Sequence, residues 1–244
     1  MKNKYPSIMD LHTHTVASGH AYNSIREMAK AASEKGLEVL GITEHGPKMP
    51  GSCHRIYFQN YGVVPRELYG VQLLMGAEVN ILDADGNIDL YETELTRLDL
   101  VIASIHVPCM KPGSVKENTM AYVNAMRNPY VNIIGHPDDS RYEMDYKTIV
   151  EAAKEYGKVL EVNNHSLCPT TFRQNARENY AVMLELCKEY KVPVVMNTDA
   201  HFDTQIGEFD NARNKLEQVN FPEELVVNHS VEMLKGHVHR NLNW

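Results

Sequence analysis

Short apolar segments alternate along the chain with longer segments of helical periodicity, and this alternation constrains the fold more than any other feature. The predicted strands are seven apolar segments: 7–13, 38–44, 71–81, 99–106, 131–136, 158–164 and 192–199. The predicted helices are five segments with apolar residues at helical spacing: 24–36, 116–128, 145–157, 175–190 and 209–219. Strands that alternate with helices predict βα units and a mostly parallel sheet.

The strand segments are apolar along nearly their whole length, as expected of strands buried on both faces. Seven such strands favour a closed or nearly closed (β/α)7 TIM-like barrel over an open doubly wound sheet. No linker-like composition interrupts the 244 residues, so a single domain, 1–244, is expected. Residues 83–87 (DADGN) predict a hairpin turn, and residues 46–66, which fit no regular pattern, predict a long loop at the barrel rim.

Composition argues against several classes of partner. The net charge of −8 repels nucleic-acid backbones and anionic membranes, so neither partner is expected. No window approaches 18 consecutive apolar residues, and the first residues lack the apolar core of a signal peptide. The four cysteines are irregularly spaced, which predicts reduced thiols in a cytoplasmic protein. No surface pattern predicts an oligomeric state.

The strongest polar residues fall at the C-terminal ends of the predicted strands. They are His12, His14, Glu44, His45, Glu78, His106, His136, Asn163, Asn164, His165, Asp199 and His201. In a parallel α/β barrel these ends meet on the face that carries the active site. With His20, which lies in the first βα loop, eight of the twelve histidines are expected to converge on one rim.

The spacing of these residues is typical of metal ligands. Side chains along a strand alternate between its two faces, so His12 and His14 point the same way and can bind one ion. Asp199 and His201 repeat this spacing at the last strand. Glu78 stands in the otherwise apolar segment MGAEVNI, where a carboxylate needs a proton or a cation. A carboxylate can bridge two cations, which makes Glu78 the expected bridging ligand.

These motifs resemble the PHP (polymerase and histidinol phosphatase) metallophosphoesterases, most closely their YcdX-like branch. The matching stretches run from about residue 7 to residue 227 and are DLHTHTVASGHAY, ITEHGP, GAEVNI, LVIASIH, IIGHPD, LEVNN and TDAH. The resemblance implies a distorted (β/α)7 barrel with three divalent metal ions at the carboxyl ends of the strands. It implies three ligand sets: His12, His14, Glu78 and Asp199; His20, His45 and His201; and Glu78, His106 and His136.

The imidazole-rich donor set suits Zn²⁺, with Mn²⁺ or Fe²⁺ as alternatives. The expected activity is that of a phosphatase on small phosphorylated metabolites, in which a hydroxide shared by two metals attacks phosphorus. Glu78 and Asp199 are the expected catalytic carboxylates. A metal-bound water or Asp199 would protonate the leaving group.

Three alternatives stay open at this point. A histidinol-phosphate phosphatase would prefer histidinol phosphate to generic esters. A C–N hydrolase of the amidohydrolase type also uses H-x-H on a barrel rim, although a carboxylated Lys usually takes the place that Glu78 takes here. A metal-binding interaction module is the non-enzyme alternative.

Residues around the predicted ligands are assigned supporting roles. Glu44 is expected to orient His45 or an adjacent water, and Asp10 to support the ligands from behind. His165 and Arg141 are candidates for contact with the substrate. Arg173 and His54 are further rim cations, but residues of these types are more often solvated at the surface.

Overall fold

The computed structural model describes residues 4–238 of the chain. The two ends of the expected domain, 1–3 and 239–244, lie outside the described residues. Strands and helices alternate as predicted. The strands are β1 (Met9–Asp10), β2 (Val39–His45), β3 (Glu67–Leu68), β4 (Val71–Asn80), β5 (Leu100–Ser104), β6 (Ile133–Ile134), β7 (Val159–Asn163) and β8 (Val194–Asn197).

The helices pack outside the strands. They are α1 (Ile25–Glu34), α2 (Arg55–Gln59), α3 (Glu92–Leu95), α4 (Val115–Met126), α5 (Tyr146–Tyr156), α6 (Ala176–Tyr190), α7 (Asp210–Gln218) and α8 (Val231–Lys235). The ends of α1 follow from local chemistry, because Ser24 and Glu27 form a reciprocal capping box. Helix α5 likewise begins at the Asp145 cap and ends at Gly157 in the left-handed region.

The sheet has the order β1-β2-β4-β5-β6-β7-β8, and all neighbours on this path are parallel. An isolated parallel bridge between Thr13 and Ala200 brings the last strand beside the first. The seven parallel strands therefore form a nearly closed barrel with helices around it, which confirms the predicted fold class. None of the helices in residues 4–238 is long and apolar enough to cross a membrane.

Three local predictions need correction. The first strand is shorter than 7–13, because the backbone N–H groups of Leu11 and Thr13 donate to the side chains of Asn197 and Thr43 and not to a neighbouring backbone. The segment 46–66 contains the short helix α2 as well as a 3-10 turn. The two-residue strand β3 pairs antiparallel with β4 and was not predicted. The turn at 83–87 is confirmed, since the strand-like bridge Ile81–Ile88 flanks it.

Candidate metal centre

Seven histidines and two carboxylates meet at the carboxyl ends of the strands. His45 ends β2 and Glu78 lies near the end of β4, and the two residues are neighbours in the sheet register. His106 follows β5, and His136 follows β6. All the residues of the three expected ligand sets therefore lie within one cluster, most of them buried.

The first expected set, His12, His14, Glu78 and Asp199, is tightly packed. The Nε2 atoms of His12 and His14 are 3.1 Å apart. Glu78 Oε2 lies 3.3 Å from His12 Nε2 and 3.5 Å from His14 Nε2. Asp199 Oδ1 lies 3.5 Å and 3.3 Å from the same two nitrogens. Four ligand atoms thus face a common point.

The second expected set, His20, His45 and His201, forms a stack of rings beside the first. The Nε2 atoms of His20 and His45 are 3.2 Å apart, and the ring of His201 lies 4.8 Å from that of His20. His14 joins this group, because its ring centroid lies 4.2 Å from that of His45. The ligand atoms of His14, His45 and His201 lie within 4.8 Å of one another.

The third expected set shares Glu78. Its Oε1 lies 2.7 Å from His136 Nε2 and 3.2 Å from His106 Nε2. The other oxygen, Oε2, lies 2.7 Å from His45 Nδ1. Glu78 therefore stands between all three sets, and the sets form one continuous cluster. The division of the ligands among separate ions stays a prediction.

The donor atoms suit divalent ions. Glu78 Oε2 and His45 Nδ1 face each other at 2.7 Å without forming a hydrogen bond, and His136 Nδ1 is buried without a hydrogen-bond partner in the described part of the chain. Buried polar atoms without partners are costly. Two imidazole nitrogens that face each other at about 3.1 Å can share only one proton, whereas a cation satisfies both lone pairs. The residues present therefore fit a centre with nitrogen and carboxylate ligands.

The imidazoles and carboxylates of the cluster shift one another's pKa. Burial acts to lower the pKa of His12, but the carboxylates of Glu161, Glu78 and Asp199 raise it well above its usual value. Burial, together with the neighbouring His45 and His201, lowers the pKa of His14 well below its usual value. For Glu78 and Asp199, burial acts to raise the pKa, but the surrounding imidazoles lower it well below the usual range. The carboxylates are therefore ionised and ready to bind cations.

Four of the histidines are fixed through their other ring nitrogen, so that Nε2 faces the cluster. The Nδ1 partners are Glu161 Oε1 for His12, Ser18 Oγ for His14, Asn80 Oδ1 for His106 and the carbonyl oxygen of Asp199 for His201. Such partners set the tautomer and the ring orientation of metal-binding histidines.

Glu161 is the most connected of the residues that sequence reasoning missed. It is fully buried on β7, and its Oε1 lies 2.7 Å from His12 Nδ1. Its Oε2 accepts a hydrogen bond of 2.8 Å from the backbone N–H of His136. Like Glu78, it is a carboxylate within an apolar strand, so the argument applied to Glu78 could have found it.

Glu44 acts through Ser18, and its expected role toward His45 or an adjacent water stays a prediction. Its carboxylate accepts hydrogen bonds from Thr15 and from Ser18 Oγ and does not hold the His45 ring. Ser18 Oγ in turn contacts His14 Nδ1 and accepts from the backbone N–H of His45. Glu44 thus orients Ser18, because a hydroxyl that donates to a carboxylate must present its lone pairs to the other two donors.

Asp10 stands behind the cluster and holds the loop that carries Asp199. Its carboxylate accepts from the backbone N–H and the hydroxyl of Thr198 and from the backbone N–H of Gly207. Burial, partly offset by these hydrogen bonds, raises the pKa of Asp10 to about 6. Asp199 itself has φ 57° and His136 has φ 28°, which are unusual values for residues with side chains. Strained backbone at two ligand positions is typical of functional sites.

A cavity of about 460 Å³ opens over the cluster. His165 and Arg141 line it, as do Phe172 and Arg173. The Arg173 side chain is only 7% exposed and lies 3.7 Å from Asp138, so the expectation of a solvated surface residue is wrong. His54 lines a different groove beside α2 and does not reach this cavity. The four cysteines are free thiols, as predicted.

A parallel α/β barrel that gathers histidines and carboxylates at its strand ends defines a class of metal-binding barrel proteins. The chain belongs to the PHP family, because the PHP domain matches residues 10–167. The match includes the predicted ligands from His12 to His136 and ends before α6.

Relatives cover nearly the whole chain. A probable phosphatase of Caldicellulosiruptor saccharolyticus is 46% identical over 224 residues, which are 92% of each chain. A probable phosphatase of Clostridium novyi is 48% identical over 221 residues, which are 91% of this chain and 90% of the relative. The similarity thus extends well beyond the family match, into the segment with Asp199 and His201.

Solved structures share the fold at low identity. Histidinol phosphate phosphatase from Lactococcus lactis, solved with zinc, L-histidinol and phosphate, aligns with a TM-score of 0.57 and 16% identity over 88% of this chain and 94% of its own. A chain in archaeal ribonuclease P with mature tRNA aligns with a TM-score of 0.51 and 15% identity over 87% of both chains. At such identities the likeness shows the fold alone.

Proposed function

We propose that this chain is a metal-dependent phosphatase that hydrolyses small phosphomonoesters at a centre of three divalent ions. The observation that carries the proposal is the position of Glu78, whose two oxygens face five imidazoles from both sides. The probable phosphatases among its relatives and the zinc-containing histidinol phosphate phosphatase with the same fold support it.

Three groups of side chains would hold the ions: His12, His14, Glu78 and Asp199; His20, His45 and His201; Glu78, His106 and His136. Bound divalent ions supply a nucleophile at neutral pH and neutralise charge on the phosphoryl oxygens. We propose Zn²⁺ as the natural metal, with Mn²⁺ or Fe²⁺ as alternatives, because imidazole is the dominant donor. The cytoplasm, where free thiols persist, is the proposed location.

Arg173 is the side chain best placed to bind the phosphoryl group. It lines the cavity, and its positive charge interacts with Asp199 and Glu78 in the cluster. Its Nε is buried without a hydrogen-bond partner among residues 4–238. A planar guanidinium with free donors matches phosphate oxygens and keeps its charge at every accessible pH.

The protein's own scaffold fixes where the reaction occurs. Glu161 and Asn80 orient His12 and His106 from behind, while Asp10 and Thr198 hold the loop of Asp199. Asp199 is bonded by Asn163 Nδ2 at 3.1 Å through the oxygen that does not face His12 and His14. The ligands are thus fixed by hydrogen bonds within the protein, which reduces the reorganisation that the reaction requires.

A screen of phosphorylated metabolites with the purified protein, combined with elemental analysis, tests this proposal. We expect hydrolysis of p-nitrophenyl phosphate and of several metabolites, together with about three equivalents of metal per chain. A protein that holds these equivalents but hydrolyses no phosphate ester would contradict the phosphatase assignment.

A further inference from the structure

The outer wall of the cavity differs in chemistry from the cluster at its floor. Arg141, Tyr142 and Phe172 line this wall together with Ile105, Val107 and Pro108. From this wall we infer, resting on the proposed phosphatase function, that the enzyme selects phosphomonoesters whose alcohol part combines a planar apolar ring with an anionic group. An ammonium group at the same position is disfavoured.

The acidic side chain of the outer wall, Asp139, is fully engaged in hydrogen bonds. Asp139 Oδ1 accepts from the backbone N–H groups of Arg141 and Gln174, at 3.0 Å and 3.2 Å. Its Oδ2 accepts from Nε of Arg141 at 2.8 Å and also from Nη2. Among the described residues that line the cavity, the other acidic side chain is Asp199, which belongs to the metal cluster. An incoming ammonium group would therefore meet no free carboxylate on the outer wall.

Arg141 keeps unused hydrogen-bond donors. The bonds to Asp139 engage Nε and Nη2, and Nη1 makes no hydrogen bond within residues 4–238. The Arg141 side chain is 29% exposed, so its remaining N–H groups can reach a ligand. Because Asp139 fixes one edge of the guanidinium, the other edge is already oriented to bind a carboxylate or phosphate.

Phe172 is 64% exposed although it is a large apolar side chain that lines a cavity. Its ring centroid lies 5.2 Å from the guanidinium carbon of Arg141 and 5.4 Å from that of Arg173. Both distances are within the range of cation–π contact. The ring is therefore near both the outer and the inner arginine, and its exposed part offers a surface on which a flat substrate group can pack.

These positions divide the cavity into two parts. Arg173 and the cluster would receive the scissile phosphate, while Phe172 would receive the ring of the alcohol and Arg141 its anionic substituent. Histidinol phosphate has a ring but carries an ammonium group, so it matches this wall poorly. The wall thus distinguishes this enzyme from a phosphatase that prefers cationic amino-alcohol phosphates.

A series of three aryl phosphates tests the inference, because its members carry different charges at one position of the ring. They are phenyl phosphate, 4-carboxyphenyl phosphate and 4-(aminomethyl)phenyl phosphate. For the metal-loaded protein we expect kcat/KM for the carboxylate to exceed that for the ammonium by about tenfold or more, a typical effect of a charge-assisted hydrogen bond. Equal values, or a preference for the ammonium, would overturn the inference.

Substitutions of Arg141 test whether this residue causes the preference for the carboxylate substrate. We expect Arg141→Gln to bring the ratio of kcat/KM between the carboxylate and the ammonium substrate close to one. Arg141→Lys should keep part of the preference for the carboxylate. Arg127→Gln is the matched control, since Arg127 caps the far end of α4 and bonds Tyr156 there. A ratio that survives unchanged in Arg141→Gln would overturn the role of Arg141. For Phe172→Leu we expect a loss of kcat/KM with phenyl phosphate that exceeds the loss with propyl phosphate.

Binding of phosphonates separates this inference from the proposed function. Benzylphosphonate and its 4-carboxy and 4-aminomethyl derivatives cannot be hydrolysed, so their dissociation constants can be measured by calorimetry even if no ester turns over. If the carboxylate binds tightest but no phosphate ester is hydrolysed, the selectivity stands and the phosphatase assignment fails. If esters are hydrolysed but neither rates nor affinities depend on the substituent, the selectivity fails alone.

Discussion

The inward-facing side chains of the barrel strands are apolar at one end of the barrel and polar at the other. At the amino ends, inward-facing residues form an apolar cluster that includes Val39, Leu74, Leu100, Val159 and Val195. Further along, the inward positions of the same strands are polar and reach the carboxyl ends. They are His45, Glu78, Ser104, Glu161 and Asn197.

The difference shows how the fold separates stability from chemistry. The apolar end excludes water from the interior and stabilises the barrel in proportion to the area it buries. The polar end contains buried imidazoles and carboxylates, which are costly unless they are paired or bound to cations. We therefore expect substitutions at the polar end to affect metal content and catalysis, and substitutions at the apolar end to affect the free energy of unfolding.

The largest effect is expected for Glu78→Ala. Removal of the carboxylate between the three ligand sets should empty at least one metal position and lower hydrolysis of p-nitrophenyl phosphate by at least about a thousandfold. Elemental analysis and the rate measure this effect, and Glu67→Ala on the exposed strand β3 is the control. Full activity of Glu78→Ala would rule out the bridging assignment.

His20→Ala should weaken one metal position and leave the other positions occupied. His20 faces His45 and His201, whereas His12 and His14 face Glu78 and Asp199. We expect the loss of about one equivalent of metal while the others remain, with a decrease in rate of roughly a hundredfold. His54→Ala, a rim histidine outside the cavity, should leave both unchanged. Loss of all bound metal in His20→Ala would show that the sets are not separable.

Glu161→Gln should weaken the centre without removing a ligand. Gln keeps the size of the side chain but is a weaker acceptor for His12 Nδ1–H and for the His136 backbone. We expect the affinity for the least tightly bound ion to fall by about 10- to 100-fold, as measured by competition with a chelator. Glu94→Gln, a buried carboxylate that bonds Arg55, is the control. Unchanged metal affinity in Glu161→Gln would show that the Glu161 carboxylate does not contribute to metal binding by His12.

Leu74→Ala should have the smallest effect on activity. It creates a cavity at the apolar end, and we expect the free energy of unfolding to decrease by about 2–5 kcal/mol. Denaturant titration measures this decrease, and Val63→Ala at an exposed position is the control. Metal content and kcat of the folded variant should stay close to those of the parent protein. A strong loss of metal would contradict the separation of the two ends.

Sequence reasoning predicted the barrel because each parallel strand is buried on both faces and is therefore apolar over several residues. It missed β3, α2, α3 and α8, which have two to five residues and are too short to show a period. The predicted ligands were expected to converge because they all lie at strand ends. In a parallel barrel the carboxyl ends of the strands meet on one face, so this prediction needs no knowledge of contacts.

Other parts of the site could not be derived in this way. Ser18 contacts His14, Glu44 and His45 at once, and nothing in a linear sequence distinguishes such a serine from an ordinary loop residue. Arg173 lies in a segment of loop composition, and its burial depends on Asp138, which precedes it by many residues. Tertiary packing, which local pattern does not encode, determines both.

The most direct test of the account is a metal titration of the chelator-stripped protein, with the rate of p-nitrophenyl phosphate hydrolysis measured at each step. The account predicts that the stripped protein is inactive and that the rate rises with Zn²⁺ or Mn²⁺ until about three equivalents are bound. Full activity in the stripped protein, or saturation of all the sites without any hydrolysis, would contradict it.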